Sequence, residues 1–248
     1  MIYFVGAGPG DPELLTVKAW RLLQQADLVI YAGSLVPFQV MDCCRADAQK
    51  VNSAPLALEE IVKLMVEYHQ RQQLVVRLHT GDPSLYGAIG EQMRALDEVG
   101  LPYEIVPGVS SFLAAAAAVR KEYTVPGGSQ TVIITRLAGR TPVPPEQALS
   151  ALAQHRGSMA IFLSVGLAEQ VQQELLQAYP PATPVAVVER ASQPAERVLR
   201  GTLGGLAKLI QAAGITKTAL ILVGDFLTGE GTSLLYDRKF THEYRAGS

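Results

Sequence analysis

Apolar residues come in short runs in the first half of the chain, and Ile2–Val5, Leu28–Tyr31, Leu74–His79 and Tyr103–Val106 each read as a strand. Amphipathic segments lie between and after them, predicting helices near Glu13–Gln24, Leu58–Arg71 and Leu85–Val99, with positions such as Leu64 and Met65 in the core. Strand alternating with helix is the order of an α/β protein with an open, mostly parallel sheet. In the second half Thr131–Thr135, Ser158–Leu163, Val185–Glu189, Arg197–Thr202 and Thr218–Val223 are strand-like. The link from Glu189 to Arg197 is too short for a helical crossover, so at least one pair there is antiparallel and the second sheet is mixed.

Between the halves, the alanine-rich run Val109–Val119 predicts a short helix, followed at Arg120–Gly128 by a charged pair, a proline and two glycines. This change of composition predicts a domain boundary near residue 120, giving an N-terminal α/β domain over 1–120 and a C-terminal α/β domain over 121–248. The last residues, Arg245–Ser248, read as a frayed end.

Charge and composition narrow the function classes. The 248 residues carry 21 basic and 23 acidic side chains, a net charge of −2, so no global basic field exists to collect nucleic acid or anionic lipid. Any anionic ligand must meet a local cluster. The two cysteines, Cys43 and Cys44, are adjacent and form neither a disulfide framework nor a four-ligand zinc site, which suits a reducing compartment. The first apolar run meets Gly6 too early for a signal peptide, and no run is long enough to span a membrane, so a cytoplasmic location is expected. His69, His79, His155 and His242 lack metal-ligand spacing. No Gly-x-Ser-x-Gly elbow occurs.

The informative positions are strand ends. Gly6-Ala7-Gly8-Pro9-Gly10-Asp11-Pro12 follows the first strand, and Asp11 and Pro12 suit the start of a helix. A dinucleotide fingerprint is a poor fit, because the third glycine comes one residue early and the second strand ends at Tyr31-Ala32-Gly33 without an acid for a ribose. Thr80-Gly81-Asp82-Pro83 and Pro107-Gly108-Val109-Ser110-Ser111 close two further strands. Each alone is explained by capping; three in one sheet predict a shared crevice beyond the carboxyl ends of the strands. They offer backbone groups, the hydroxyls of Thr80, Ser110 and Ser111 and the Asp82 carboxylate, but no phosphate-binding lysine. That set suits a zwitterionic nucleoside better than a triphosphate. A side chain at Gly81 is expected to collide with such a ligand.

These three segments resemble the tetrapyrrole methyltransferase family, from Met1 to about Leu227. Within it, Tyr31–Val36 together with Ser129–Pro144 is most similar to the corrin branch. The resemblance implies a homodimer of two α/β domains, using S-adenosylmethionine folded in the cleft between them and releasing S-adenosylhomocysteine, with a small-molecule tetrapyrrole as partner; the charge balance leads us to expect no nucleic acid, and the histidine spacing no protein-bound metal. It implies cofactor contacts from Pro9, Thr80, Gly81, Asp82, Leu85, Ser110 and Ser111, and from Val165, Ala191, Thr218 and Ala219 in the second half. Thr80, Val165 and Ala191 depart from the family's residue types at their positions. The uroporphyrinogen-III branch carries an aspartate where this chain has Ala32, which argues against that branch.

A tetrapyrrole carries many carboxylates, so Arg136 and Arg140 are the candidate anchors, with solvated surface positions as their alternative. Ser34 and Asp11 are further candidates to touch substrate, Asp11 being equally suited to a helix cap. No general base is assigned, because the methyl donor is already activated and alignment is the main task. Two other readings remain: a sibling transferase acting on another precorrin, ribosomal RNA or a modified histidine, and a non-catalytic nucleotide- or tetrapyrrole-binding module.

Overall fold

The computed structural model describes residues 1–241 and 243–245, with the Ser34 side chain also outside the described set. By internal contacts the chain divides into two compact units, Met1–Ala114 with Arg190–Ala195, and Ala115–Glu189 with Glu196–Ser248. His242 and residues 246–248 lie outside the described residues.

The first unit is built on β1 (Ile2–Gly6), β2 (Leu28–Tyr31), β3 (Gln49–Asn52), β4 (Val75–His79) and β5 (Tyr103–Val106), all parallel, in the order β3-β2-β4-β1-β5. Helices α1 (Val17–Gln25), α2 (Phe38–Met41), α3 (Leu58–Gln70) and α4 (Ile89–Glu98) belong to this unit, and α5 (Ser111–Val119) begins in it. A parallel sheet needs cover on both faces. Val5, Val29, Val76, Leu78 and Val106 pack with Ala19, Leu22 and Leu23 of α1; Ile2, Phe4, Leu28, Ile30 and Val75 pack with Met65 of α3 and Leu96 of α4. Each fully buried side chain of this size contributes about 2 kcal/mol.

Three local details differ from expectation. The segment expected as one helix from Glu13 is a 3-10 turn, Pro12–Leu14, followed by α1; the Thr16 hydroxyl accepts from Ala19 N–H at 3.1 Å and starts the helix afresh. The helix expected from Leu85 begins at Ile89, because Tyr86 (φ 58°) and Ala88 (φ 50°) are left-handed. Strand β3 was not legible: Gln49-Lys50-Val51-Asn52 is an edge strand with a single apolar residue, hence no alternation.

The second unit holds β6 (Val132–Arg136), β7 (Ser158–Phe162), β8 (Pro184–Glu189), β9 (Arg197–Thr202) and β10 (Ala219–Val223), in the order β6-β7-β10-β8-β9. Only β6 and β7 run parallel; β10 is antiparallel to β7 and β8, and β8 and β9 form the expected hairpin. Met159, Ile161, Val187, Ile221 and Val223 pack against α6 (Leu149–Ala153), α7 (Ala168–Leu175) and α8 (Leu206–Ala212) through Leu149, Val171, Leu175, Leu206 and Ile210. Arg245, expected to be frayed, donates to the carbonyls of Leu235 and Asp237. No helix among the described residues is long and apolar enough to cross a membrane. Both cysteines are free, and burial pushes the Cys44 thiol up to about 11, so it stays protonated.

Candidate functional site

The chain leaves β1 toward β2 on one side and leaves β4 toward β5 on the other, so the switch point of the first sheet falls between β1 and β4. The turns after these strands touch through backbone. Ala7 N–H donates to His79 O at 2.7 Å, and Gly8 and Gly81 form a small antiparallel bridge, with Gly81 N–H to Gly8 O at 2.8 Å. The turn after β5 closes on the same point: a Cβ on Gly6 would stand 2.6 Å from both Gly108 Cα and the Gly81 carbonyl oxygen. A Cβ on Gly108 would overlap that same oxygen. Gly6 and Gly108 are required because three main chains meet here with no room for a side chain.

Asp82 binds the arrangement together. One carboxylate oxygen accepts from Gly108 N–H at 2.9 Å, and the other accepts from Ser84 N–H at 2.8 Å and from the Ser84 hydroxyl. Burial alone would raise its pKa, but these bonds from Ser84 and Gly108 outweigh that and hold the carboxyl below the usual carboxylate range. Gly81 is left-handed (φ 66°), and a Cβ there would meet only ordinary contacts, the nearest being Ser110 Cα at 3.6 Å. The glycine therefore answers to its backbone angle, and within the protein a side chain would find space.

The remaining first-unit candidates sit around this junction. Thr80 Oγ1 is buried without a hydrogen-bond partner, the single side-chain polar atom of the three turns so placed among the described residues. Pro9 is buried, Leu85 half-buried and Ser110 buried, its carbonyl accepting from Leu113 and Ala114 N–H, with Ser111 opening α5. Asp11 caps the 3-10 turn, its carboxylate accepting from Glu13 N–H at 2.9 Å.

Two residues not anticipated from sequence, Ser192 and Gln193, hold this loop. Asp11 N–H donates to Ser192 Oγ at 3.0 Å, Gln193 Nε2 donates to Pro9 O at 3.3 Å, and the Gln193 side chain fills the place of a Cβ on Gly10. They belong to 190–195, the segment that also carries the buried Ala191. No local signal marks them, since the contact spans more than 180 residues of chain. The other missed group, Arg77, carries a signal in hindsight: it is a lone charge between Val76 and Leu78 in an otherwise apolar strand.

In the second unit, Val165 is buried in the 3-10 turn after β7, while Thr218 is exposed and left-handed (φ 54°) just before β10. Because β10 runs antiparallel to β7, Val165 and the Thr218–Ala219 pair lie at one end of the sheet, where Gly166 approaches Thr216 O. An open groove of about 820 Å³ adjoins them, lined by Val165, Gly166, Gln170, Gln173, Ile210 and Thr216. Arg136 ends β6 and donates to the carbonyls of Leu137 (3.3 Å), Thr141 (3.2 Å) and Pro142 (2.8 Å), so it organises its own loop. Among the described residues it pairs with no carboxylate. Arg140, in that loop, is exposed. No group of three His, Cys, Asp or Glu among the described residues could hold a metal ion.

A parallel sheet with glycine turns packed at its switch point, in a chain that also holds a mixed sheet, defines a two-sheet α/β protein, and residues 1–207 match the family Tetrapyrrole (Corrin/Porphyrin) Methylases. The chain belongs to that family. It is 50% identical to a precorrin-4 C(11)-methyltransferase of Pseudomonas aeruginosa, over 99% of this chain and 99% of that protein. A solved structure of a cobalt precorrin-4 methyltransferase superposes with a TM-score of 0.90 at 46% identity, covering 92% of this chain and 96% of that one. A uroporphyrin-III C-methyltransferase from Thermus thermophilus, solved with S-adenosylhomocysteine, reaches 0.77 at 33% identity, covering 92% and 93%.

Proposed function

We propose that the protein methylates C-11 of precorrin-4 or cobalt-precorrin-4 in cobalamin biosynthesis, with S-adenosylmethionine as the methyl donor. The observation that carries this reading is full-length identity of about 50% to a precorrin-4 C(11)-methyltransferase, in a chain whose three glycine turns meet at one switch point. The donor fits the residues present: Thr80 Oγ1 is an orphaned buried hydroxyl at the junction of the three turns.

When bound, S-adenosylmethionine supplies a methyl group already activated by its sulfonium. The nucleophile is a carbon of the substrate ring, so the chain contributes alignment and no nucleophile of its own. Gly6 and Gly108 make the turns rigid by main-chain packing, Gly81 by its left-handed backbone angle, and Asp82 locks the β4 turn to the β5 turn. The family resemblance assigns donor contacts to Pro9, Thr80, Gly81, Asp82, Leu85, Ser110, Ser111, Val165, Ala191, Thr218 and Ala219. Arg136 and Arg140 offer positive charge to substrate carboxylates, Arg136 from a fixed position and paired with no carboxylate among the described residues. We take the enzyme to be a homodimer, as the family resemblance implies, and to work in the cytoplasm, as its cysteines and short apolar runs suggest; sedimentation velocity tests the dimer.

The experiment is mass spectrometry of the tetrapyrrole after incubation with the protein and S-adenosylmethionine, using metal-free and cobalt-loaded precorrin-4 in parallel. Gain of one methyl on either supports the reading, and the faster substrate identifies the natural form. No gain on either, from protein that binds S-adenosylhomocysteine, would overturn it in favour of a sibling substrate or a silent binding module.

A further inference from the structure

Arg77 lies at the middle of β4, the central strand of the first sheet, and is only 5% exposed, yet no carboxylate among the described residues pairs with it. Its Nε donates to Gln92 Oε1 at 3.0 Å and a terminal nitrogen donates to Ile30 O at 3.2 Å. Gln92 in turn donates through Nε2 to Ala88 O at 3.1 Å. Burial lowers the guanidinium pKa to about 10, and burial with the Arg77 charge lowers His79 to about 3, so Arg77 is cationic and His79 neutral at physiological pH.

A buried cation with only neutral acceptors is expensive, and an apolar residue of similar length would fill the space at lower cost. What the guanidinium adds is a link between two segments. Ile30 stands one residue before the end of β2, which leads into Tyr31-Ala32-Gly33-Ser34. Ala88 is the left-handed residue that ends the loop 80–88 and starts α4, and that loop holds Thr80, Gly81, Asp82 and Leu85. Asp82 anchors the near part of this loop; at its far end, where Tyr86 and Ala88 are both left-handed, the Gln92 side chain holds the Ala88 carbonyl.

We propose that Arg77 is a positioning residue for methyl transfer: through Gln92 and Ala88 it sets the donor-binding loop 80–88 against the end of β2. The proposal rests on the donor assignment above. Arg77→Met removes the link together with the buried charge. Gln92→Glu keeps an acceptor for Arg77 but has no N–H to give Ala88 O, so it cuts only the onward step. Arg77→Lys restores a single donor.

The expected result is at least tenfold weaker S-adenosylhomocysteine binding by calorimetry in Arg77→Met, a smaller loss in Gln92→Glu, partial recovery in Arg77→Lys, and a tetrapyrrole KM within twofold of wild type. The double variant should be no worse than Arg77→Met, since both act on one path. Hydrogen exchange at 84–89 should quicken in both single variants without any ligand. Wild-type affinity in a folded Arg77→Met, or an equal loss for donor and tetrapyrrole, would overturn the proposal. If Arg77→Met does not fold, wild-type affinity in Gln92→Glu overturns it instead. Should the wild-type protein itself fail to bind S-adenosylhomocysteine, the donor assignment falls, and exchange at 84–89 decides the loop coupling alone: unchanged rates overturn it.

Discussion

The two sheets present their candidate residues in opposite ways. In the first unit the turns meet main chain to main chain and leave one buried hydroxyl, Thr80, without a hydrogen-bond partner among the described residues. In the second, the long segment after β6 folds around the Arg136 guanidinium, and Arg140 and Thr218 face solvent. The difference teaches where precision resides. A parallel sheet delivers several strand ends to the same edge, so small residues there can be packed together; a mixed sheet delivers alternate ends to opposite edges and leaves its loops to organise themselves.

The contrast can be broken most sharply at Gly108. Its Cβ would overlap the Gly81 carbonyl, so Gly108→Ala should cost about 3 kcal/mol, read as a lower urea midpoint, and should abolish donor binding. An unchanged midpoint would show that the three turns are not tightly joined. Asp82→Asn is the next largest, about 2 kcal/mol, because it weakens the bonds from Gly108 and Ser84. It also has a pH signature. The Asp82 carboxyl is held below its usual value in the folded state, so its stabilisation is present above the unfolded pKa of roughly 4 and is lost as pH falls through the folded one. The acid-side loss of stability should therefore be shallower in Asp82→Asn than in wild type; identical profiles would remove Asp82 from the clamp.

In the second unit Arg136→Ala should raise the tetrapyrrole KM about tenfold, equivalent to about 1.4 kcal/mol, while S-adenosylhomocysteine affinity stays within twofold. Steady-state kinetics and calorimetry separate the two, and an unchanged KM would return Arg136 to a loop-folding role alone. The smallest effect is expected at Gly139, in that same segment, where a Cβ would meet only Leu167 at 3.6 Å: Gly139→Ala should shift stability by less than about 0.5 kcal/mol. Equal costs at Gly139 and Gly108 would erase the distinction between the two units.

What was legible beforehand follows the same division. Strands β1, β2, β4 and β5 were readable to within a residue at either end because each is a mostly apolar run, and β3 was not because its residues face solvent at an edge. The antiparallel hairpin β8–β9 was readable from the eight-residue spacing between Glu189 and Arg197. Glycine turns after β1, β4 and β5 were visible as motifs, but the reason for each glycine was not: Gly81 was expected to make room for a ligand, whereas its own positive φ already requires it, and Gly6 and Gly108 are the positions without room.

The sequence by itself determined the α/β class, the strand–turn units that carry the candidate residues, and the family, because apolar periodicity and short turn motifs are local properties of the chain. Only the tertiary structure decided that three turns share one junction, that Ser192 and Gln193 reach Asp11 and Pro9, and that Arg77 joins β2 to the loop 80–88. The junction of the turns and the reach of Arg77 to β2 follow from strand order in the sheet, and the Ser192 and Gln193 contacts join residues more than 180 positions apart; no local pattern encodes either.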